Sequence, residues 1–449
     1  MSVVESSELP REEAAFARPP VGSAGTAQLA VQEAIPNAVS ASATRRRVLM
    51  IVENLPVPFD RRVWSEATTL KQHGYEVSVI CPKGIDAKVS YEVIEGIHIY
   101  RHWLPAEGHG ALDYLAEYSV ALFWEFILSF KIFLTRGFDV IHACNPPDLI
   151  FLVGGFYKYL FGKRFIFDHH DINPELYEAK FGRRGLFWRM MVVLERLTFA
   201  VSDVSIATNE SYRSIAIERG RMKADRVFVV RSGPNLARVR TLPSDEKWKN
   251  GRKFLVTYVG VIGMQEGLDL LLESVKHIRD RCGRSDMQFV IAGGGPDLEN
   301  TKSMAKDLGL DEMVTFTGRI DDQILFTVLS TADVCVNPDR PNVMNDKSTM
   351  NKIMEYMALG KPIVQYDLTE GRVSAEAASL YARNTDPSDF GNKILELLDN
   401  PALRQKMGNI GQERVRDVLA WSHEVPNLLA AYAAIAGPTA PARRNPRGK

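Results

Sequence analysis

Short apolar runs alternate with amphipathic stretches along most of the chain. The first run covers residues 47–54 and is apolar almost throughout, which is typical of a parallel strand covered on both faces. Residues 63–73 follow with apolar side chains at helical spacing and end at Gly74, and a second apolar run covers Glu76–Pro82. A strand, a helix and a strand in succession predict a right-handed βαβ unit of a doubly wound sheet.

The same alternation continues through the chain and occurs in two sets. The first set closes near residue 235, the polar residues 236–252 indicate a linker, and a new apolar run at residues 254–260 begins the second set. The pattern predicts an α/β fold in which two Rossmann-like, doubly wound domains face a central cleft. Ligands of such domains bind outside the carboxyl ends of the strands, so we expect functional residues directly after strands in both halves.

The predicted domain boundaries follow from these two sets. The domains cover residues 45–235 and 253–415, and a terminal helix over residues 416–436 is expected to pack back on the first domain. Residues 1–44 are rich in Ser, Ala and Pro and residues 437–449 in Pro and basic side chains, so both are predicted to be disordered. The leader lacks a cationic start followed by an apolar core, which argues against a secretory signal.

Charge and cysteine content exclude several classes of partner. Lys+Arg and Asp+Glu both number 55, so the formal net charge is zero and we expect no nucleic-acid partner. The four cysteines are far apart in sequence, which favours a reducing, cytoplasmic location without disulfides or zinc. Residues 120–134 form the most apolar run, short of the ~20 residues that span a bilayer. They indicate a core helix, with an in-plane membrane helix as the alternative.

The segment after residue 337 carries the most informative polar residues. A helix is predicted from Asn351, and the N-terminus of a helix offers unpaired N–H groups and a positive dipole end to a phosphate. Lys347 and Lys352 add positive charge there. Glu355, one turn into the helix, can accept hydrogen bonds from both hydroxyls of a ribose. The alternative is a solvated helix with ordinary surface charges.

Four stretches of the sequence carry a family resemblance. They are EYMALGKPIV at the end of this helix and, earlier in the chain, PVPFDRRVWSEATTLKQHGYEVSVICP, FDHHDINPE and AVSDVSIATNE. Over roughly residues 46–436 the chain resembles the family-4 glycosyltransferases of GT-B fold. The resemblance implies that a sugar moves from a nucleotide-diphosphate sugar, held by the second domain, to a hydroxyl of an acceptor on the first. It also implies retention of the anomeric configuration, with no metal and no other cofactor.

The resemblance assigns the donor site and reveals a departure in it. The second Glu of the family's Glu-x7-Glu pair maps to Glu355 as the ribose ligand, but the first maps to Lys347. Either Asp346 replaces that Glu, as a third predicted catalytic residue beside Lys352 and His170, or the sugar is held differently. The donor sugar is therefore left open.

A second departure concerns the diphosphate. Family members commonly carry an Arg and a Lys after the first strand of the second domain, where this chain reads VIGMQE between Gly260 and Gly267. The leaving diphosphate still needs positive charge as it departs. Lys352 is the favoured source, because it lies in the first turn of the helix. The other candidate donor-binding residues are Lys347, Arg319, Arg372, Gly260 and Asn351.

A third departure lies in the first loop of the chain. Many family members have a Gly-Gly turn there, whereas this chain has Arg61 and Arg62. These two residues either supply charge to the donor or form a structural ion pair.

The strand ends of the first domain carry the remaining candidates. The family's donor-sugar histidine maps to His170, and an adjacent acid, Asp171 or Glu175, can fix its tautomer. A purely structural histidine is the alternative. Asn145 and Asp148 also follow a strand, and they either contact the acceptor or begin the next helix.

The segment 180–197 suggests a membrane partner, because basic residues and aromatic rings share one end of an amphipathic helix. A packed helix with a basic rim is the alternative.

The leading hypothesis is a glycosyltransferase at the inner face of the cytoplasmic membrane, building a lipid-linked or surface-polysaccharide glycan. The alternatives are a catalytically weak GT-B partner subunit that has lost its hold on the donor, and a nucleotide-sugar epimerase on the same fold.

Overall fold

The strands of the protein form two separate sheets in a computed structural model that describes residues 46–84, 87–105, 111–383 and 385–435. The predicted leader and tail lie outside these residues. The strands of the first sheet are β1 (Arg47–Ile51), β2 (Glu76–Pro82), β3 (Tyr91–Ile94), β4 (Ile97–His102), β5 (Val140–Cys144), β6 (Arg164–His169), β7 (Val204–Ala207) and β8 (Val227–Val229). Those of the second are β9 (Phe254–Val259), β10 (Met287–Ala292), β11 (Val314–Gly318), β12 (Val334–Asn337), β13 (Ile363–Tyr366) and β14 (Ser379–Ala382).

Helices connect most of these strands. In the first half they are α1 (Arg61–Gln72), α2 (Ala111–Thr135), α3 (Phe151–Phe161), α4 (Asn173–Phe181), α5 (Leu186–Val201) and α6 (Glu210–Glu218). In the second half they are α7 (Leu268–Asp280), α8 (Leu298–Asp307), α9 (Asp322–Thr331), α10 (Val343–Lys347), α11 (Asn351–Ala358), α12 (Thr369–Ala375), α13 (Pro387–Asp399), α14 (Pro401–Arg414) and α15 (Trp421–Ile435).

The topology confirms the predicted α/β fold of two Rossmann-like domains. The first sheet has the order β3-β4-β2-β1-β5-β6-β7-β8 and the second the order β11-β10-β9-β12-β13-β14. All neighbouring strands run parallel except β3 and β4. Apolar clusters cover both faces of each sheet, which explains the continuous apolar runs of the sequence.

The hairpin of β3 and β4 is absent from the sequence prediction. Its two-residue turn is Glu95-Gly96, and both residues have positive φ, 49° and 73°. Such a turn matches the twist of a hairpin, so the Glu-Gly pair was the available signal. Side chains of β3 alternate between exposed and half-buried because this strand forms the edge of the sheet, and it therefore lacks a continuous apolar run.

The chain crosses back at its end, and α15 completes the core of the first domain. Leu428 and Tyr432 lie in the same apolar cluster as β1 and β2. Trp421 donates a hydrogen bond from its indole N–H to the hydroxyl of Thr69 on α1 at 2.9 Å. The first domain is therefore built from two distant parts of the chain.

The helix over the most apolar run, α2, has one buried and one exposed apolar face. Ala121, Ser129 and Ile132 are buried, whereas Phe123 and Leu134 are 58% and 68% exposed. Among the described residues no helix is both long enough and apolar enough to cross a membrane.

Candidate functional site

Two oppositely charged side chains from the two domains meet where the strands of both sheets end. Arg61, the first residue of α1, donates to Glu355 of α11 at 2.7 Å and to Asp322 of α9 at 2.9 Å. Arg238 of the linker donates to Asp322 at 2.9 Å. Burial by itself would raise the pKa of Asp322, but these two arginines hold it below its usual range. The predicted ribose ligand, Glu355, thus carries an ion pair across the domain boundary.

Lys352 lies on the same helix as Glu355, and its amine reaches the end of β9. A methyl group on Gly260 would lie 3.5 Å from the Lys352 side chain, so the two predicted donor-binding positions are neighbours. The Lys352 amine donates to Asp339 at 2.9 Å and lies 4.7 Å from the centre of the Tyr258 ring. Asn351, the first residue of α11, is exposed.

Two acids beside Lys352 escaped the sequence analysis. Asp339 follows β12 directly and is 1% exposed, and its second carboxylate oxygen is buried without a hydrogen-bond partner. Burial, together with the charge of Asp339, raises the pKa of Glu266. The position of Asp339 directly after a strand was a usable signal. No sequence pattern marks Glu266, because it lies in the stretch 261–266, which stands out only by its lack of Arg and Lys.

The short helix α10, which carries Asp346 and Lys347, joins the second domain to the first. Both carboxylate oxygens of Asp346 accept hydrogen bonds from Thr369, at 2.8 Å from its N–H and 3.0 Å from its hydroxyl. The backbone oxygen of Lys347 accepts a hydrogen bond at 2.8 Å from Asn209, which also donates to Thr349. Asp346 therefore fixes the start of α12, and Lys347 contributes its backbone to a contact between the domains.

The structure separates the two other predicted cations. The guanidinium of Arg319 stacks over the ring of Phe59 in the first loop, with 4.2 Å from its carbon to the ring centre, so it reaches across the domain boundary to the loop that precedes Arg61. Arg372 donates to Asp367 at 2.8 Å and stacks on Tyr381 at 3.9 Å. Its contacts are within the second domain rather than with the residues around Lys352.

Arg62 points into the first domain, away from its neighbour Arg61. Its guanidinium donates to Asp168 at 2.9 Å and to the backbone oxygen of Val230 at 2.7 Å, and lies 3.2 Å from Glu66. The Arg62 side chain is only 6% exposed. The structure thus places Arg62 in the structural ion pair that was the alternative to a donor contact.

His170 belongs to the same buried network. Its Nε2 lies 2.6 Å from Asp168 and 2.9 Å from the Nε of Arg62. Asp168 can only accept and the guanidinium of Arg62 can only donate, so Nε2 serves one of the two in each neutral tautomer, and in the described part of the chain the Nδ1 of His170 has no hydrogen-bond partner. The acid in contact with the His170 ring is therefore Asp168, which corrects the expectation for Asp171 and Glu175. Those two contact Asn54 and Arg219 instead.

The protonation states in this network follow from burial and charge. Burial by itself would raise the pKa of Asp168, but the charge of Arg62 and hydrogen bonds with His142 and His170 hold it well below its usual range. Burial and then the repulsion of Asp168 raise the pKa of Glu66 well above its usual range, and burial lowers the pKa of His142. Both shifts favour the neutral forms of Glu66 and His142, whereas the shift of Asp168 favours its charged form beside Arg62.

Asn145 and Asp148 hold the loop of His170. The Asn145 side-chain oxygen accepts from the N–H of His170 at 2.8 Å, and its amide donates to Asp148 at 3.0 Å. Burial, and then the charge of Glu195, raise the pKa of Asp148 to about 6. Both residues are nearly buried, at 2% and 6% exposure. Their contacts fit the role of a support for His170 better than that of an acceptor ligand.

Two groups of side chains near Arg62 could hold a metal ion by composition. They are His142, Cys144 and Asp168, and Glu66, Asp168 and His170. The guanidinium of Arg62 already donates to both oxygens of Asp168 and lies against His170, so a cation occupies this position. Burial raises the pKa of the Cys144 thiol well above its usual range, and a thiol that stays protonated is a poor metal ligand.

Comparisons with known proteins place this geometry in a family. Residues 60–233 match the model described as "Glycosyl transferase 4-like domain", and residues 253–400 match "Glycosyl transferases group 1". The alpha-D-kanosaminyltransferase of Streptomyces kanamyceticus is 28% identical over 155 residues, which are 34% of this chain and 38% of that protein. The chain thus aligns with well under two thirds of this relative.

Solved structures share the fold. Sucrose-phosphate synthase from Thermosynechococcus elongatus superimposes with a TM-score of 0.71 at 19% identity, covering 87% of this chain and 99% of that one. Anabaena HepE in complex with UDP-glucose gives a TM-score of 0.65 at 13% identity, covering 86% of this chain and 99% of that one. The two models together match well over half of the chain, one on each domain. The chain therefore belongs to the family-4 glycosyltransferases and has their GT-B fold.

Proposed function

We propose that this chain is a retaining, metal-independent glycosyltransferase that moves a sugar from a nucleotide-diphosphate sugar to an acceptor hydroxyl. One observation carries the proposal: Lys352 and Glu355 lie three residues apart on α11, with Lys352 beside the Gly260 turn and Glu355 at the domain boundary. This spacing places a cation and a carboxylate on one helix face, as a diphosphate and its ribose require.

Each residue has a distinct task in the proposed reaction. Glu355 accepts hydrogen bonds from the ribose hydroxyls, and Lys352, held by Asp339, neutralises the charge that grows on the diphosphate as the glycosidic bond breaks. The Nδ1 of His170 forms a hydrogen bond with a hydroxyl of the sugar. The acceptor oxygen attacks the anomeric carbon from the face that the diphosphate leaves, and its proton passes to the leaving phosphate. No covalent intermediate is needed.

A partner subunit without catalysis is the second candidate. Two observations favour it. Arg61 forms an ion pair with the carboxylate of Glu355, which would bind the ribose. The acids Asp339 and Glu266 lie beside Lys352, the lysine that would bind phosphate. Such a subunit would bind no nucleotide at all.

Calorimetric titration with UDP, GDP, dTDP and CMP, with and without EDTA, separates the two candidates. The enzyme binds one nucleotide, EDTA leaves that binding unchanged, and Glu355→Gln weakens it by about 1–3 kcal/mol. Glu413→Gln, an exposed carboxylate of the same domain, is the matched control and leaves binding unchanged. Absence of binding for every nucleotide in folded protein would favour the partner subunit. Unchanged binding by Glu355→Gln would refute the ribose assignment.

We also propose that the first domain rests on an anionic membrane, with a lipid-linked glycan as acceptor. The support is the outward side of α2, α3 and α5, here termed the apolar layer. Its exposed large apolar residues are Phe123, Ile127, Phe130, Leu134, Leu152, Tyr159, Leu160, Phe161, Leu186, Phe187, Met190, Val193 and Leu197.

Among the side chains that the structure describes, the exposed charges of the apolar layer have one sign. The described acids of these helices, Glu125 and Glu195, are 1% and 0% exposed. Lys131, Arg189 and Arg196 are exposed. An apolar surface whose described exposed charges are basic complements an anionic bilayer, where its side chains enter the headgroup boundary.

Co-sedimentation with vesicles tests this contact. We expect the protein to bind vesicles that contain phosphatidylglycerol, and Leu134→Ser with Leu160→Ser to weaken the binding. The matched control is Val373→Ser with Val418→Ser, two exposed apolar residues of the second half at 42% and 51% exposure. Equal losses in both double variants, or no binding by the unaltered protein, would contradict the proposed contact.

A further inference from the structure

A cavity with basic walls lies at the end of the first domain that is opposite the donor site. It has a volume of about 470 Å³ and lies between the C-terminal ends of α5 and α6. Five cationic side chains line it, and we term it the basic pocket. They are Arg196, Arg219, Arg221, Lys223 and Arg226.

Most of this positive charge has no counter-charge among the described residues. Arg219 is paired with Glu175 and Glu195, both at 2.6 Å. Asp203 also lines the cavity, but it accepts the N–H of Phe165 and pairs with Lys158 at 3.0 Å. In the residues that the structure describes, no carboxylate lies within 4.0 Å of the other four cations. Four uncompensated charges around one cavity repel each other, which an anion would relieve.

One of the residues that line the basic pocket has a strained backbone conformation. Arg221 has φ +58°, the left-handed conformation in which glycine is the least strained residue. The guanidinium groups of Arg196 and Arg226 each donate to a backbone oxygen, of Arg219 at 3.1 Å and of Ala434 at 2.9 Å. These bonds fix the two side chains and leave their charge in place.

The pocket borders the apolar layer. Helices of parallel βαβ units run opposite to the strands, so the C-terminal ends of α2, α3, α5 and α6 lie along the same edge of the sheet. The most exposed apolar residues of α2 and α3 stand at these ends, Leu134 at 68%, Tyr159 at 70% and Leu160 at 66%. On α5, Arg196 of the pocket is followed directly by the exposed Leu197.

We propose that the basic pocket binds the phosphate of an anionic phospholipid headgroup. Arginine guanidinium groups match phosphate oxygens through paired hydrogen bonds, and the cavity is large enough for a phosphodiester with its glycerol. The apolar neighbours indicate a lipid rather than a free phosphate, because they would lie beside the acyl chains of the same molecule. The inference rests on the proposed membrane contact and adds a defined headgroup site to it.

Vesicle binding by the full chain tests the inference. The variant is Arg221→Gln with Lys223→Gln, and the matched control is Lys306→Gln with Lys406→Gln, two exposed lysines of the second domain. Both double variants lose two positive charges. On vesicles of phosphatidylcholine with phosphatidylglycerol, the pocket variant should bind about thirtyfold more weakly, because each basic residue near an anionic surface contributes a factor of about five. The control should bind as the unaltered protein does.

Four results would overturn the inference. Equal losses in the pocket variant and the control would show a general effect of net charge. Unchanged vesicle binding by the pocket variant would mean that the apolar layer contacts the membrane without a headgroup site. Binding of inorganic phosphate, lost in the pocket variant, combined with vesicle binding that is unaffected, would assign the pocket to a soluble anion. Failure of the unaltered protein to bind any vesicle would remove the membrane contact as well, while nucleotide binding would still test the enzyme.

Discussion

Replacing Glu125 by Gln tests whether a buried carboxyl group of α2 keeps its proton in the folded protein. Glu125 is 1% exposed, and one of its oxygens is buried without a hydrogen-bond partner. Burial raises its pKa from an ordinary value of 4.5 to about 8. Glutamine has almost the same shape and cannot ionise, so the substitution removes the titration and little else.

The size of the effect follows from these two values. Since the folded form holds a proton that the unfolded chain releases above pH 4.5, stability falls as the pH rises from 4.5 towards 8. The loss is about 1.4 kcal/mol per pH unit, or roughly 3 kcal/mol at pH 7. Burial of the additional amide group offsets about 1 kcal/mol of the gain. We expect Glu125→Gln to be about 2 kcal/mol more stable than the unaltered protein at pH 7 and to show no advantage at pH 5.

Urea unfolding followed by tryptophan fluorescence at pH 5, 6, 7 and 8 measures this difference. Five of the six tryptophans lie in the first domain or on α15, so the signal reports on the domain that contains α2. Glu413→Gln, at an exposed position, is the control and should follow the unaltered protein at every pH. A stability difference that stays constant between pH 5 and pH 8 would refute the argument.

Three further substitutions address the candidate site. Lys352→Ala should lower turnover more than donor affinity, because charge on the diphosphate grows towards the transition state; steady-state kinetics decide, and a pure rise in KM would contradict this role. Arg61→Ala should tighten nucleotide binding about two- to fivefold in calorimetry by freeing Glu355, whereas weaker binding would mean that Arg61 contacts the donor. Asp168→Asn leaves the buried charge of Arg62 unpaired and should cost about 3–5 kcal/mol in urea unfolding; a loss below about 1 kcal/mol would contradict the assigned charges.

The sequence was most informative where both faces of a strand are buried. Parallel strands such as Glu76–Pro82 appear as continuous apolar runs, so the two sheets and the position of the linker could be predicted. The edge strand Tyr91–Ile94 has no such run and was missed. Contacts between the domains, such as that of Arg61 with Glu355, join residues 294 positions apart, and no local pattern records them.

The positions of the site residues could be predicted from the sequence, but their roles could be predicted less well. Arg61 and Arg62 are adjacent in sequence, but neighbours on a helix point about 100° apart, so one reaches the domain boundary and the other the core. Asp168 was not predicted as the partner of His170, because it lies within β6 and not in the loop that follows the strand. Side chains two residues apart share a face in extended chain, which brings the two together.

The position of α15 has a consequence for how the protein emerges from the ribosome. The apolar cluster of the first domain includes Trp421, Leu428 and Tyr432, which are synthesised after the whole second domain. Until then the groove that receives them is open, and the apolar side chains of α1, β7 and β8 along it are in contact with water. A nascent chain that ends near residue 235 therefore carries a domain with an unfinished core. Synthesis of the last helix closes that core and sets the moment at which the first domain reaches full stability.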